Sequence, residues 1–208
     1  MMRTALLLTC LLGVTSSAMS QGHEVAGCRI RTGTLCADRN MNGVDLKGAN
    51  LARAQLSRST LVGADLEQAD LTNANLTRVD LTRANLQRAV LNDANLLGAR
   101  LTEARLGQAQ LSRANLRNAV LRETDLREAV LQAADLLSAN LSGAQMQKAD
   151  LQRADFRTAN LSGASLAGAR LNGANFTKAN LSNADLRGAD LEGANFSGAL
   201  TTGCHGCP

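Results

Sequence analysis

The residues of this 208-residue chain best equipped for chemistry lie near its two ends. Cys204-His205-Gly206-Cys207 stands just before Pro208, Cys28 and Cys36 lie in the first forty residues, and Cys10 lies further upstream. A Cys-x-x-Cys pair can carry thiol–disulfide exchange, but that chemistry sits at a helix start in a βαβ setting, and nothing around this motif suggests one. Zinc needs four ligands together, and this end offers Cys204, His205 and Cys207 only. Covalent haem attachment needs a His directly after the second Cys, where Pro208 stands instead. Between Cys36 and Cys204 there is no His and no Cys, so the Ser and Thr there have no base to activate them. Glu123 and Asp125 are a carboxylate pair by spacing, but they stand among Arg122 and Arg127 and read as solvated surface charge. His23 reads as solvated too. The Gly-Gly-x-Gly-x-Asp pattern of calcium-binding rolls is absent. The expectation is therefore no enzyme, no cofactor and no metal site.

Composition narrows the field further. Aromatic residues make up 1% of the chain, as three Phe with no Trp or Tyr. That excludes a core built on aromatic anchors and a nucleic-acid binder that stacks bases on rings. Apolar residues at 45% and charged residues at 19% make a folding composition rather than a disordered one. Residues 1–20 have Arg3 near the start, an apolar run from Ala5 to Val14 and then the small residues Thr15 to Ala18. This layout predicts a secretory signal peptide cleaved before Gln21. The apolar run is too short to span ~30 Å of hydrocarbon, so no transmembrane segment is expected in the mature form. Thr9 and the Leu residues before it fit a lipoprotein site at Cys10 poorly. Export, to a bacterial periplasm or beyond the cell, would put the other four cysteines in an oxidising compartment.

The elements that must position these residues come from a repeat. From Leu46 to Phe196 every fifth residue is Leu, Met or Phe, in 31 consecutive units without an insertion or deletion. Two residues before each stands Ala, save for Val44, Ser59, Val79 and Thr124, and between the two stands Asp or Asn in 20 of the 31 units. A period of five rotates successive Leu by about 140° on a helix and leaves no apolar stripe. On an extended stretch, Ala and Leu point to one side and the residue between them to the other. The two remaining positions must turn a corner, and ten of the 18 Gly fall on the second of them, as at Gly48 and Gly63. Phe156, Phe176 and Phe196, the only phenylalanines, are spaced by twenty residues. They stack on one side if four units make one coil.

The unbroken Ala-(Asp/Asn)-Leu-x-x run, seen plainly in Ala64-Asp65-Leu66-Glu67-Gln68, resembles the pentapeptide repeat family. The resemblance implies an all-β fold: a right-handed quadrilateral parallel β-helix, a solenoid of about eight coils. Leu46, Leu66, Leu116, Phe156, Phe176 and Phe196 would lie in its core. Such a rod is roughly 37 Å long at ~4.8 Å per coil, and a disulfide needs Cα atoms within about 7 Å. Only Cys28–Cys36 and Cys204–Cys207 can then close within one chain, as clips at the two ends. The expected organisation is a signal peptide over 1–20, an N-terminal cap segment over 21–43, the repeat over 44–200 and a Cys-containing tail over 201–208.

The best-characterised activity of the family is mimicry of DNA by acidic rods that protect topoisomerases (DNA gyrase) from quinolones. Sorting charges by side finds no acidic face. The side of Leu56 carries Arg58, Arg78, Arg117, Arg157 and Lys178 against Asp135 and Asp155, and the other three sides are near balance. The loops of the topoisomerase-protecting members are missing, and export would remove the target. The expectation is an exported, non-enzymatic scaffold that binds a protein partner the sequence does not name, and no nucleic acid. The DNA-mimicking gyrase protector is the alternative. The stack Val90, Gln110, Val130 and the turn residues Leu97 and Leu137 are candidates for an apolar contact patch.

Overall fold

The computed structural model describes residues 24–208. The expected signal peptide, the cleavage site before Gln21, Cys10 and His23 lie outside the described residues. The first elements are β1 (Glu24–Val25) and β2 (Cys28–Arg29), which pair antiparallel with Glu24 opposite Arg29 and Val25 opposite Cys28. Ala26 and Gly27 join them with φ of 51° and 74°, the positive-φ pair that suits a two-residue hairpin.

From there the chain advances in units of five. Parallel bridges join Leu35 to Gln55, Asn40 to Thr60 and so on to Asp185 and His205, each pairing residues twenty apart. Four pentapeptides therefore bring the backbone back into register with itself. The bridges are single residues rather than long strands, because two of every five positions are spent in a turn. In the unit Asp65–Ala69 every N–H has a partner. Asp65 donates back to Val44 O at 2.9 Å, and Leu66 and Gln68 donate forward to Asn85 O at 2.7 Å and Gln87 O at 2.9 Å. Ala69 closes the turn onto Leu66 O at 3.0 Å, and Glu67 donates to Asp65 Oδ1 at 3.0 Å.

Leu46, Leu66, Leu116, Phe156 and Phe176 are sealed from solvent, as are nearly all the Ala two residues before each repeat Leu. Each buried Leu contributes roughly 1.5–3 kcal/mol. The ring centroids of Phe156 and Phe176 lie 4.9 Å apart, and those of Phe176 and Phe196 4.8 Å apart. That is the rise of one coil, imposed by the backbone ladder. Phe196 departs from the expected burial. It is only partly covered, as are Ala189, Leu191 and Ala199, because no further coil lies over them among the described residues. Ser59 and Thr124 take the buried Ala position, and their hydroxyls donate to Cys36 O at 2.7 Å and Leu101 O at 2.8 Å. A buried hydroxyl is tolerated because it is satisfied.

The second turn residue is left-handed whether or not it is Gly: φ is 58° at Arg53 and 57° at Thr158, against 65° at Gly163. For a non-glycine residue that conformation costs roughly 1–2 kcal/mol, and for a β-branched one it is a rare outlier. Thr158→Gly should therefore hold or raise stability by up to about 1 kcal/mol in urea unfolding. Gly163→Thr, whose Cβ would meet nothing within 4 Å, should lower it by about 1–2 kcal/mol through the backbone alone. Equal effects of the two exchanges would contradict this account. Leu116→Asp should cost more than about 3 kcal/mol, since the buried carboxylate has no partner. Asn118→Asp, on an exposed turn position of the same unit, should change the urea midpoint little.

Candidate functional site

The four cysteines among the described residues are joined in two short clips. Cys28 bonds Cys36 with Cα atoms 5.7 Å apart, and Cys204 bonds Cys207 at 5.8 Å. The two differ in setting. Cys28 and Cys36 are fully buried, and Thr34 Oγ1 lies 3.2 Å from Cys36 Sγ. Cys204 and Cys207 are only half-buried against the end of the core. Among the described residues no three His, Cys, Asp or Glu side chains converge as metal ligands would.

Each carboxylate of the candidate acid–base pair has an arginine beside it. Asp125 accepts two hydrogen bonds from the Arg127 guanidinium, at 2.8 and 2.7 Å. That contact holds its carboxyl below the usual range, so it stays ionised and is a poor proton donor. Glu123 faces Arg122 at 3.9 Å instead. Asp185, below His205 in the same bridge column, is pulled down to about 2, first by the Arg187 side chain and then by the Arg187 N–H.

Two arrangements of ion pair recur because the coil repeats. Across coils, residues twenty apart meet: Lys47 with Glu67 at 2.7 Å, Arg83 with Glu103 at 2.8 Å, Arg113 with Asp93 at 2.6 Å and Arg170 with Asp150 at 3.0 Å. Within a unit, an outward Asp grips an Arg two residues on, as in Asp155–Arg157 and Asp185–Arg187. These contacts bear on the basic side of Leu56. Arg58 pairs with Asp38, Arg117 with Asp135 and Arg157 with Asp155, while Arg78 and Lys178 form no ion pair among the described residues. Two such cations are too few for a polyanion track.

The expected apolar patch does not form as one surface. Val90, Gln110 and Val130 succeed one another in one bridge column between Asp70 and Asp150. Leu97 and Leu137 lie on a different corner, beside Asn95 and Asp135, whose Oδ1 atoms accept their N–H groups at 3.2 and 3.1 Å. Val90, Val130, Leu97 and Leu137 are half-buried, and Gln110 is exposed. A shallow polar notch sits where Gly107 leaves the first turn position without a side chain, rimmed by Glu67, Gln87, Arg88, Asp125 and Arg127. Its charges are of both signs and already engaged, so it selects no ligand.

The role of Asp and Asn between the two inward residues was not apparent from patterning alone. Facing outward would need only a polar residue. The side-chain Oδ1 captures the N–H two residues on, as Asp45 does for Lys47 at 3.0 Å, Asp70 for Thr72 at 2.9 Å and Asn180 for Ser182 at 3.0 Å. The signal available in the sequence was Asx-turn chemistry, which Asp and Asn make more strongly from that position than Ser or Thr.

The family model of pentapeptide repeats matches in eight copies spread between residues 40 and 198, over 40–78, 69–108, 80–118, 109–144, 119–157 and 159–198 among them. No curated protein matches the chain. Among solved structures, HetL from the cyanobacterium Nostoc sp. strain PCC 7120, a pentapeptide repeat protein involved in heterocyst differentiation regulation, is 33% identical. That match covers 82% of this chain and 86% of HetL, with a TM-score of 0.43. A trypsin-treated variant of QnrB1, a plasmid-mediated fluoroquinolone resistance protein, is 18% identical over 82% of each chain with a TM-score of 0.63, a likeness of fold alone. A pentapeptide repeat protein of the Arabidopsis thaliana thylakoid lumen is 32% identical over 44% of this chain and 61% of its own, with a TM-score of 0.35. With a twenty-residue bridge register, an interior of Leu and Ala, and a family match along the repeat, the chain belongs to the pentapeptide repeat family.

Proposed function

We infer that this protein is an exported, non-enzymatic rod, a right-handed four-sided β-helix of about eight coils, acting as a structural or protein-interaction scaffold in a bacterial periplasm or outside the cell. The observation that carries the reading is the state of the outward side chains. The Asp and Asn groups serve the turns, many of the acids are held by Arg or Lys, and the interior is filled by Leu, Ala and Phe. What is left to offer a partner is a long, regular surface rather than a reactive centre. Pairing of all four cysteines outside residues 1–20 into disulfides supports an oxidising compartment. Among the described residues no helix is long and apolar enough to cross a membrane.

The fold likeness to QnrB1 favours a second reading, protection of gyrase by imitation of DNA. A DNA mimic must present unneutralised negative charge at regular spacing. Here Arg100, Arg105 and Arg170 stand where the repeat favours Asp or Asn, and Arg100 and Arg170 lie against Asp80 and Asp150. Charges within a ~10 Å screening length weaken one another's field. The mature protein should therefore neither inhibit gyrase supercoiling nor relieve its inhibition by a quinolone, even in low salt. Dose-dependent inhibition of supercoiling would reverse the order of the two readings. Recovery of the protein in the cytoplasmic fraction, with residues 1–20 still attached, would count against export.

A further inference from the structure

We propose that Cys204–Cys207 is a selectively reducible latch, a thiol–disulfide exchange site for a thioredoxin-type dithiol, whereas Cys28–Cys36 is a permanent closure. The contrast in burial comes first. Both sulfurs of the N-terminal pair belong to sealed residues, 2% and 1% exposed, with Cys28 in β2 and Thr34 Oγ1 against Cys36 Sγ. Those of the C-terminal pair belong to half-exposed residues at the rod's edge. Exchange requires a thiolate to reach a sulfur along the disulfide axis, so access separates the two bonds kinetically.

The backbone around the C-terminal pair adds a second reason. The ladder runs to His205, where Leu186 N donates to His205 O at 2.7 Å and His205 N donates to Ala184 O at 2.9 Å. Cys204 N closes its turn onto Thr201 O at 3.0 Å, and Asn183 N donates to Thr202 O at 2.9 Å. Past His205 no backbone–backbone hydrogen bond among the described residues involves Gly206, Cys207 or Pro208. Those three residues are held by the disulfide and by packing. Gly206 crosses the Leu186–Arg187 backbone so closely that a Cβ would lie 2.9 Å from Leu186 O and Arg187 N. Opening the bond frees the tail from this crossing and leaves the ladder below it intact.

The chemistry balances within one exchange. A thiolate of the dithiol attacks one sulfur of the pair, forming a mixed disulfide as the other Cys leaves as a thiolate and takes up a proton. The second thiol of the reductant then displaces the remaining Cys. The protein gains two thiols, and the reductant becomes a disulfide after giving up two electrons and two protons.

The test uses the full chain, oxidised, with any free thiols first capped by N-ethylmaleimide. It is titrated with dithiothreitol, quenched with an isotopically distinct maleimide and mapped by mass spectrometry, with far-ultraviolet circular dichroism followed in parallel. Cys204 and Cys207 should label at a dithiothreitol concentration at least about tenfold below that needed for Cys28 and Cys36, with the β-signal unchanged. The double variant Cys204→Ser, Cys207→Ser should keep the same spectrum and lose the early labelling. The proposal is overturned if both pairs label together, if Cys28–Cys36 opens first, if labelling waits for loss of the spectrum, or if Cys204 and Cys207 are already thiols at the start.

Discussion

The constraint on which this structure depends is the accounting of backbone N–H groups within five residues. A solenoid with single-residue bridges gives up the long ladders that satisfy an ordinary sheet, so each unit must place five donors by other means. Three go to neighbouring coils and one closes a turn, and where Asp or Asn stands between the inward residues its side chain captures the fifth. Only that last donor asks for a particular polar residue. In the 20 of 31 units that carry it, Asp or Asn therefore serves the backbone, and the surface chemistry is a by-product of that role. Where the position is Val, Arg or Gln, the interior neighbours remain Leu and Ala and the register is kept. The ladder sets the geometry and the Asx contact reinforces it.

How much of this could be read from the residues follows from the same logic. The inward positions were legible because Leu46 or Leu116 admits no alternative in a period of five: only an extended stretch points Ala and Leu the same way. The twenty-residue register was legible through an accident of composition, the spacing of Phe156, Phe176 and Phe196. The handling of the turns was less visible. Gly marks the second turn position in ten units, which invites the view that the others avoid a left-handed backbone. Arg53, Thr158 and Lys178 adopt it regardless, because the coil above and below over-determines the corner. Tertiary register overrides local preference there, and no local pattern announces it.

The pairing of charges was also beyond patterning along the chain. Lys47 and Glu67, or Arg113 and Asp93, are distant in sequence and adjacent in space only once the coil length is known. Exposed pairs of this kind contribute little to stability individually. Their larger effect is on what the surface offers. Acids held by Arg give a weaker outward field than their number implies, and the Arg side chains themselves are bound down over neighbouring coils. The two ends differ as well. A hairpin and a buried disulfide close the core at Cys28 and Ile30, whereas Leu191 and Phe196 remain partly open to solvent.

The bridge register carries a consequence for how such a chain can change length. Because residues twenty apart stand in one column, duplicating or losing four pentapeptides lengthens or shortens the rod by one rise of ~4.8 Å and leaves every column aligned. Duplicating one pentapeptide preserves the core equally well, since Leu still follows Ala at the same interval. It nevertheless turns everything downstream by one side, so that a duplication between Asp93 and Arg113 would take Arg113 off Asp93. Selection on folding alone cannot distinguish these events, while selection by a partner that grips one side would reject three of every four. The chain is a single-start screw thread with four sides to the turn, and its register records whether something has been reading it from a fixed direction.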